Sequence, residues 1–274
     1  SKQDDFVFTS RLDNLSSNYY DLRKLLPNII GESIPSVFSK VGNFTITGNS
    51  TITRKTLDAD FVILTDLGKI VSDLDLTRVN DIDNASYIGD IEFQDFDLGR
   101  LIDNPQLKNT SLDVQIDGDV FKLENLSSRI VGKIFEIEYN GYKYNDIELL
   151  GRLGNNIFNG FVKANDENFK FKFNGLADFS KDVKTLNFVA NVEYANLKAL
   201  NFIKNDSISE FSGMVTTSMK GSSLDDAYGS LNFKNTTYIN EYDNYYFKDF
   251  KIVSSFDGDE RTISIDSPDI IEGK

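Results

Sequence analysis

Histidine, cysteine and tryptophan are all missing from this chain of 274 residues, and proline occurs only 4 times. Without histidine there is no imidazole to serve as a general base or a metal ligand. Without cysteine there is no thiol nucleophile, thiolate metal site or disulfide. No recognisable motif brings carboxylates, Lys, Tyr, Ser or Thr together for catalysis. We therefore predict no catalytic residues, no metal site and no cofactor, and we predict that the protein is not an enzyme.

Positive charge is scarce as well, with 29 Lys and Arg against 43 Asp and Glu and a net charge of -14. Nucleic acid and anionic membrane surfaces would repel such a chain, so we expect no nucleic-acid partner. No apolar run approaches the roughly 20 residues of a membrane-spanning helix. Residues 269–274 are typical of an interrupted strand, which suggests that the chain is part of a longer protein and that any membrane anchor lies elsewhere.

Aromatic residues are abundant, with 22 Phe and 12 Tyr, and many alternate with polar residues. Phe169, Phe171 and Phe173 alternate with two lysines, and residues 186–194 place every second side chain, through Tyr194, on one apolar face. This period of two predicts strands with one apolar and one polar face. A parallel sheet covered by helices would show continuous apolar runs instead.

The alternating runs predict which side chains form the apolar inner face. They are Phe44, Ile46, Leu57, Phe61, Ile63, Ile91, Phe93, Leu112, Val114, Ile116, Phe135, Ile137, Ile147, Leu149, Phe169, Phe171, Phe173, Leu186, Phe188, Val192, Leu231, Phe233, Phe250 and Ile252.

Five glycine-containing pairs separate apolar runs and predict tight hairpin turns in a long meander. They are Gly48-Asn49, Asp117-Gly118, Asn140-Gly141, Asn174-Gly175 and Asp257-Gly258. The Asp-Gly segments at 113–119 and 257–260 could also bind Ca²⁺ through carboxylate oxygens, but they lack the spacing of an EF-hand. We favour the turn interpretation.

Three short helices are predicted. The first covers residues 19–26, with Ser16 or Ser17 as its N-cap and Pro27 as its terminator, and we expect it to cap one end of a sheet. The second covers residues 97–102 and the third residues 197–203.

These helices recur in a similar context, because Ile91 and Phe93 before the second helix align with Val192 and Tyr194 before the third at an offset of 101. The order of strand, short helix, polar loop and further strands predicts approximate repeats over residues 1–87, 88–187 and 188–274.

An apolar sheet face must be buried, and the predicted helices are too few and short to cover it. A second sheet could cover it in a β-sandwich, or the chain could form a solenoid. The sheet could also curl into a trough that holds acyl chains, since each buried CH₂ is worth about 0.8 kcal/mol. The alternating pattern alone leaves these three architectures open.

Three segments resemble the repeat of the AsmA-like/TamB family. In residues 98–107 a short helix ends at Asn104-Pro105, and the following strand reaches Ile116-Asp117-Gly118. Residues 25–48 are similar to the same unit, and residues 269–273 are similar to the turn between its strands.

The resemblance implies an elongated, curved, repetitive antiparallel sheet that forms a U-shaped groove with an apolar interior. It implies a periplasmic segment of a protein anchored in the inner membrane, the subunit of the translocation and assembly module. The implied function is phospholipid transport to the outer membrane, assembly of outer-membrane proteins, or both. The implied partners are phospholipid acyl chains and, through a region outside this chain, an outer-membrane barrel of the TamA/BamA type. The alternative is a structural or adhesin-like surface protein of tandem β-sandwiches with no ligand.

Overall fold

The computed structural model describes residues 6–25, 36–81, 84–119, 127–223, 225–258 and 260–267. Alternating residues form fifteen strands in this part of the chain. Their bounds are β1 (Val7–Asn18), β2 (Asn43–Thr53), β3 (Thr56–Thr65), β4 (Gly68–Thr77), β5 (Ser86–Asp97), β6 (Leu107–Asp119), β7 (Ser127–Tyr139), β8 (Tyr142–Gly154), β9 (Ile157–Asn165), β10 (Phe169–Asp178), β11 (Lys184–Asn196), β12 (Ser209–Gly221), β13 (Tyr228–Asn240), β14 (Asn244–Asp257) and β15 (Glu260–Asp266).

The strands form one sheet in simple sequence order, from β1 at one edge to β15 at the other. Every strand pair whose register is known is antiparallel, as in a meander. The predicted mainly β, antiparallel fold with few short helices is therefore confirmed. The described strands supply no second sheet, so tandem β-sandwiches are not the architecture observed.

The chain divides into two compact units. The N-terminal unit comprises Ser1–Tyr139 with Leu153–Asn155, and the C-terminal unit comprises Asn140–Arg152 and Asn156–Lys274. This division does not test the three repeats predicted over residues 1–87, 88–187 and 188–274, which stay a prediction.

Two α-helices occur among the described residues, α1 (Tyr19–Leu25) and α2 (Leu98–Ile102), together with a 3-10 helix over Ser36–Val41. The predicted N-cap of α1 was wrong, because β1 continues past Ser16 and Ser17 to Asn18. The Asn18 side chain caps the helix by accepting hydrogen bonds from the backbone N–H groups of Tyr20 and Asp21 at 3.0 and 3.1 Å. The predicted terminator, Pro27, lies outside the described residues.

The second predicted helix is confirmed as α2. The Asp97 carboxylate caps it by accepting from the Arg100 N–H, and Asp103 ends it in the left-handed conformation. The third prediction was wrong, because residues 197–201 form a turn. The Asn196 side chain caps this turn through the Ala199 N–H, but Asn201 adopts a φ of 62° and prevents the turn from continuing as a helix.

Two of the five predicted glycine turns are observed. Asn140 and Gly141 connect β7 to β8 with φ values of 52° and 77°, and Gly258 follows the end of β14 with a φ of 62°. The other three predictions were wrong, because Gly48, Gly118 and Gly175 lie inside β2, β6 and β10. Local sequence cannot separate the two cases, since a strand-interior glycine between polar residues has the same composition as a turn.

The context of strand, short helix or turn, and further strand occurs three times, after β1, β5 and β11. Each of these strands carries a register shift, between Leu12 and Leu15, between Phe93 and Phe96, and between Val192 and Ala195. The shifts place Phe93 in the position of Val192, 99 residues later, whereas the sequence alignment gave an offset of 101. The two offsets differ because the alignment matched Phe93, which precedes the register shift of β5, with Tyr194, which lies within the register shift of β11.

Candidate functional site

The N-terminal unit has one apolar face, defined by the register of β1 to β7. Phe61 pairs with Gly48 on one side and Ser72 on the other, Ser72 pairs with Ile91, and Ile91 pairs with Val114. Because paired residues of antiparallel strands point to the same side of the sheet, these side chains share a face. Apolar members of this N-terminal face include Phe8, Leu12, Leu15, Phe44, Ile46, Ile52, Leu57, Ala59, Phe61, Ile63, Ile70, Leu74, Leu76, Tyr87, Ile91, Phe93, Leu112, Val114, Ile116, Ile130, Ile134 and Ile137.

Much of the N-terminal face is only partly buried. Phe44, Leu112 and Val114 are 7%, 9% and 4% exposed, whereas Leu57, Phe61, Ile91 and most other large members keep part of their surface open to solvent. A dry core of interlocked sheets would bury such side chains fully. The face is therefore apolar surface that no described layer of protein covers.

The C-terminal unit carries a corresponding face. Phe188 pairs with Gly175 and Thr217, and Thr217 pairs with Leu231, which pairs with Ile252. Apolar members of this C-terminal face are Phe158, Val162, Ala164, Phe169, Phe171, Phe173, Leu186, Phe188, Ala190, Val192, Val215, Met219, Leu231, Phe233, Phe250, Ile252, Ile263 and Ile265. Its large side chains are also partly exposed.

Aromatic rings contact one another across the C-terminal face. The centroids of Phe173 and Phe188 lie 4.9 Å apart, those of Phe169 and Phe171 lie 4.6 Å apart, and those of Phe233 and Phe250 lie 5.9 Å apart. These contacts hold the rings side by side along the sheet. The rings form a continuous apolar surface along the sheet and remain partly exposed.

Strand-interior glycines lie on these same apolar faces. Gly175 has a φ of 148°, and a Cβ atom there would lie 2.4 Å from the Asn187 carbonyl oxygen and 2.5 Å from the Phe188 Cα. Gly48 has a φ of 142° and is equally close to β3. Register places six further glycines on the apolar faces, namely Gly89, Gly118, Gly132, Gly160, Gly213 and Gly229. Such glycines are a source of strand bending, and here they remove bulk from one side of the sheet only.

Register places every predicted inner-face residue of β2 to β6 and β10 to β14 on these apolar faces. In β8, Gly151 lies against Gly160, so Leu149 and Ile147, two and four residues before it, point toward the C-terminal face. Contact of any of these residues with lipid stays a prediction. Phe44, Ile46, Ile63 and Phe93 also take part in a local protein core, described below.

The prediction for Phe135 was wrong. Glu136 pairs with Ser111 and Ile134 with Leu112, which leaves Phe135 as the unpaired residue of a bulge. Its side chain is 48% exposed, and its ring lies 5.9 Å from the Nζ of Lys133 on the polar side. The sequence analysis also placed Tyr194 on the apolar face, which was wrong because a bulge in β11 reverses the alternation there. Tyr194 pairs with Lys170 on the polar side, and its hydroxyl donates to Glu210.

The sequence analysis missed several members of the apolar faces. Ile70, Leu74 and Leu76 of β4 alternate with polar residues as clearly as the residues that were chosen, so their alternation was a usable signal. Ile134 could not be found in this way, because the bulge at Phe135 breaks the alternation.

The opposite side of the sheet is polar and charged. Asp58 pairs with Asp75 and Asp60 with Asp73, all of them exposed. Ion pairs here are exposed too, such as Lys172 with Glu193 at 2.7 Å, and the pKa of Glu193 is lowered by the hydrogen bond from Lys172. Exposed ion pairs contribute little to stability, so this side mainly provides solubility.

A buried carboxylate in the C-terminal unit is fully used by structure. Asp166 is 2% exposed and accepts hydrogen bonds from the Tyr142 hydroxyl at 2.6 Å and from the N–H groups of Asn145 and Asn168 at 3.0 and 2.8 Å. Burial, with the hydrogen bond to Asp166, raises the pKa of Tyr142. These bonds pin β8 to the connection between β9 and β10 and leave the carboxylate no free oxygen for chemistry.

Within the described residues, no group of three or more acidic side chains is arranged to hold a metal ion. Asp259, part of the alternative Ca²⁺ segment, lies outside them. The part of the chain that is described contains no helix long and apolar enough to cross a membrane.

No family model matches this chain, and neither a curated protein nor a solved structure does.

Proposed function

We propose that this chain is a lipid-binding segment of a repeating β-groove protein of the AsmA-like/TamB type. Its apolar faces would hold the acyl chains of phospholipids. The observation that carries the proposal is the partial exposure of a whole apolar sheet face in each unit. Exposed apolar patches of this extent are unusual in soluble proteins unless a ligand or partner covers them.

The arrangement suits acyl chains better than a compact polar ligand. The faces present Ile, Leu, Val and Phe side chains over many strands, while the charges lie on the other side of the sheet. Burial of methylenes on such a surface needs no directional contact, so a chain can bind in many registers. The proposed function requires no catalytic residue.

The wider setting extends the same proposal. The segment would lie in the periplasm as part of an inner-membrane-anchored subunit of the translocation and assembly module. It would support phospholipid transport to the outer membrane, assembly of outer-membrane proteins, or both. A TamA/BamA-type barrel would contact a region outside this chain.

The adhesin-like alternative rests on β-sandwiches, for which the described strands provide no second sheet. A structural protein built on this open sheet would need another covering for its apolar faces. It would retain no lipid after purification, and this difference separates the two functions.

Two adjacent residues of β11 allow a matched test. Phe188 lies on the C-terminal face, whereas Val189 pairs with Asn174 and Thr216 on the polar side and is 42% exposed. We expect Phe188→Asp to lower phospholipid binding by roughly tenfold or more, because it places a charge among acyl chains. Val189→Asp should bind like the unchanged chain. Mass spectrometry of co-purified lipid, with circular dichroism to check folding, measures both.

A photo-crosslinking phenylalanine analogue at each position gives a second measurement that tolerates a loss of stability. Crosslinks to phospholipid should form from position 188 and not from position 189. Equal crosslinking at both positions, or none at either, would contradict the proposal.

A further inference from the structure

One end of the N-terminal face is closed by a small core. Val41, Phe44, Leu67 and Phe96 are buried there, at 7%, 7%, 3% and 0% exposure. Leu22 of α1 and Leu98 and Leu101 of α2 pack against them. This capped end lies at the helix-bearing ends of β2, β3 and β5, where Ile46, Ile63 and Phe93 pack against the buried residues.

Polar contacts of Lys40 connect two of the helices at the capped end. The Lys40 ammonium, at the end of the 3-10 helix, donates to the Leu101 carbonyl oxygen at 2.9 Å and to the Asp103 carboxylate at 2.5 Å. It therefore joins the 3-10 helix to the last turn of α2. The cap is a fixed part of the N-terminal unit.

Among the described residues, this core does not extend to the other end of β2 and β3, here called the uncapped end, where Val79 is buried and its N–H donates to the Lys55 carbonyl oxygen at 3.2 Å. Ile52 pairs with Leu57, and Leu57 pairs with Leu76, and all three remain partly exposed. Phe8, which pairs with Ile52 at the edge strand, is 52% exposed. None of these four residues belongs to the capped core.

A basic turn lies at the uncapped end. Arg54 and Lys55 form this turn, between β2 and β3, and both are exposed with no ion pair among the described residues. On the cap side of Ile52, the hydroxyls of Ser10 and Ser50 lie 2.8 Å apart on the apolar face, and Ser50 is buried. The Thr53 hydroxyl accepts from the N–H groups of Lys55 and Thr56, so the backbone of this basic turn is fixed.

We infer that a phospholipid bound to the N-terminal face has a defined orientation along β2 to β4. Its methyl ends lie toward the capped end, its ester groups near Ile52 and Leu57, and its phosphate at the basic turn, Arg54 and Lys55. This inference rests on the proposed function. The distance fits, because the strand from Leu57 to Ile63 rises by about 20 Å, and the acyl layer of one leaflet is about 15 Å deep.

The absence of tryptophan from the chain makes the orientation measurable. Leu57→Trp places a single indole near the uncapped end, and Phe61→Trp places one about 14 Å closer to the cap. Val62→Trp places one on the polar side as a control, since Val62 pairs with Val71 there. Each variant of the 274-residue chain is loaded from phosphatidylcholine vesicles that contain lipid brominated either near the ester or near the methyl end.

We expect bromines near the ester to quench Leu57→Trp most, and bromines near the methyl end to quench Phe61→Trp most. The reverse order, or equal quenching by both lipids, overturns the orientation and leaves lipid binding intact. Absence of quenching in both variants by either lipid overturns the proposed function as well. Single cysteines carrying a fluorophore at the same positions replace any tryptophan variant that fails to fold, because the chain has no native cysteine.

Charge reversal tests the position of the phosphate. The double change Arg54→Glu and Lys55→Glu should weaken phosphatidylcholine binding on the order of tenfold, and should leave binding of diacylglycerol with the same acyl chains unchanged. Lys220→Glu with Lys234→Glu alters net charge equally on exposed residues of the C-terminal unit and serves as the control. Equal loss for both lipids, or equal loss in the control, would refute a phosphate site at the basic turn.

Discussion

At the scale of single residues, glycine decides where neighbouring strands can approach. Gly175 faces the backbone of β11 so closely that a Cβ atom would lie 2.4 Å from the Asn187 carbonyl oxygen. Gly258 also has a positive φ, of 62°, but has no atom within 4 Å of a Cβ position. A substitution at Gly175 therefore tests steric overlap together with backbone conformation, whereas a substitution at Gly258 tests backbone conformation alone.

We expect Gly175→Ala to lower the free energy of unfolding by about 3 kcal/mol or more, because strain from overlap adds to the cost of its φ. Gly258→Ala should cost only about 1 kcal/mol, the price of the left-handed conformation. Urea unfolding followed by circular dichroism measures both. Similar losses in the two variants would show that β10 and β11 are not packed as described.

Single residues also set the limit of pattern-based prediction. Alternation correctly placed Phe171, Phe173 and Phe188 on one face, because an extended strand turns each successive side chain to the opposite side. It failed for Phe135 and Tyr194, where a bulge inserts an extra residue and reverses the alternation. The position of a bulge depends on the partner strand, which the local sequence does not contain.

At the scale of elements, the long connection between β11 and β12 is tied to the turn between β13 and β14. The Glu241 carboxylate accepts hydrogen bonds from the Ser207 hydroxyl and from the Ser207 N–H, the latter at 2.9 Å. These bonds, led by the one from the Ser207 hydroxyl, lower the pKa of Glu241 from 4.5 to about 2. The contact is exposed, so its effect is local.

The lowered pKa of Glu241 makes the contact between Ser207 and Glu241 depend on pH. A carboxylate whose pKa is lower in the folded state stabilises it fully above its ordinary value, and that contribution is lost as the pH falls from about 4.5 through about 2. We expect the protection of the Ser207 amide, measured by NMR as its exchange rate relative to the intrinsic rate at each pH, to fall over this range. In Glu241→Gln this fall should be absent, and the same pH profile of protection in that variant would contradict the assignment.

The short helices show how elements can be predicted when capping is local. Asp97 caps α2 and Asp103 ends it, and both lie within the segment whose pattern predicted the helix. For α1 the cap moved to Asn18, because pairing of β1 with β2 extended the strand through Ser17. Strand pairing therefore overrode the local N-cap signal.

At the scale of the whole molecule, a net charge of -14 influences how lipid is acquired. Anionic vesicles repel such a protein at low ionic strength, where the Debye length is about 30 Å at about 0.01 M salt. At about 0.15 M the length falls to about 8 Å, and the repulsion weakens.

We therefore expect lipid uptake from vesicles containing phosphatidylglycerol to accelerate as salt rises over this range. Uptake from pure phosphatidylcholine vesicles should change little and serves as the control. Transfer of a fluorescent phospholipid, followed over time, measures the rates. Faster uptake from the anionic vesicles at low salt would contradict the charge argument.

The sequence by itself determined the type of fold and the composition of its two sides. The period of two set which side chains face together, the lack of His and Cys removed the commonest catalytic and metal-binding groups, and the acidic excess set the charge. These properties are local or additive, so they do not depend on how the chain folds.

Only the tertiary structure decided that the strands form one sheet in sequence order and that the apolar faces stay partly exposed. It also placed Gly48, Gly118 and Gly175 inside strands and brought α1, α2 and the 3-10 helix together over one end of the N-terminal face. These features depend on contacts between segments far apart in the chain. An alternating apolar pattern is the same whether protein, lipid or water lies against it, so only the packing of the folded chain separates these cases.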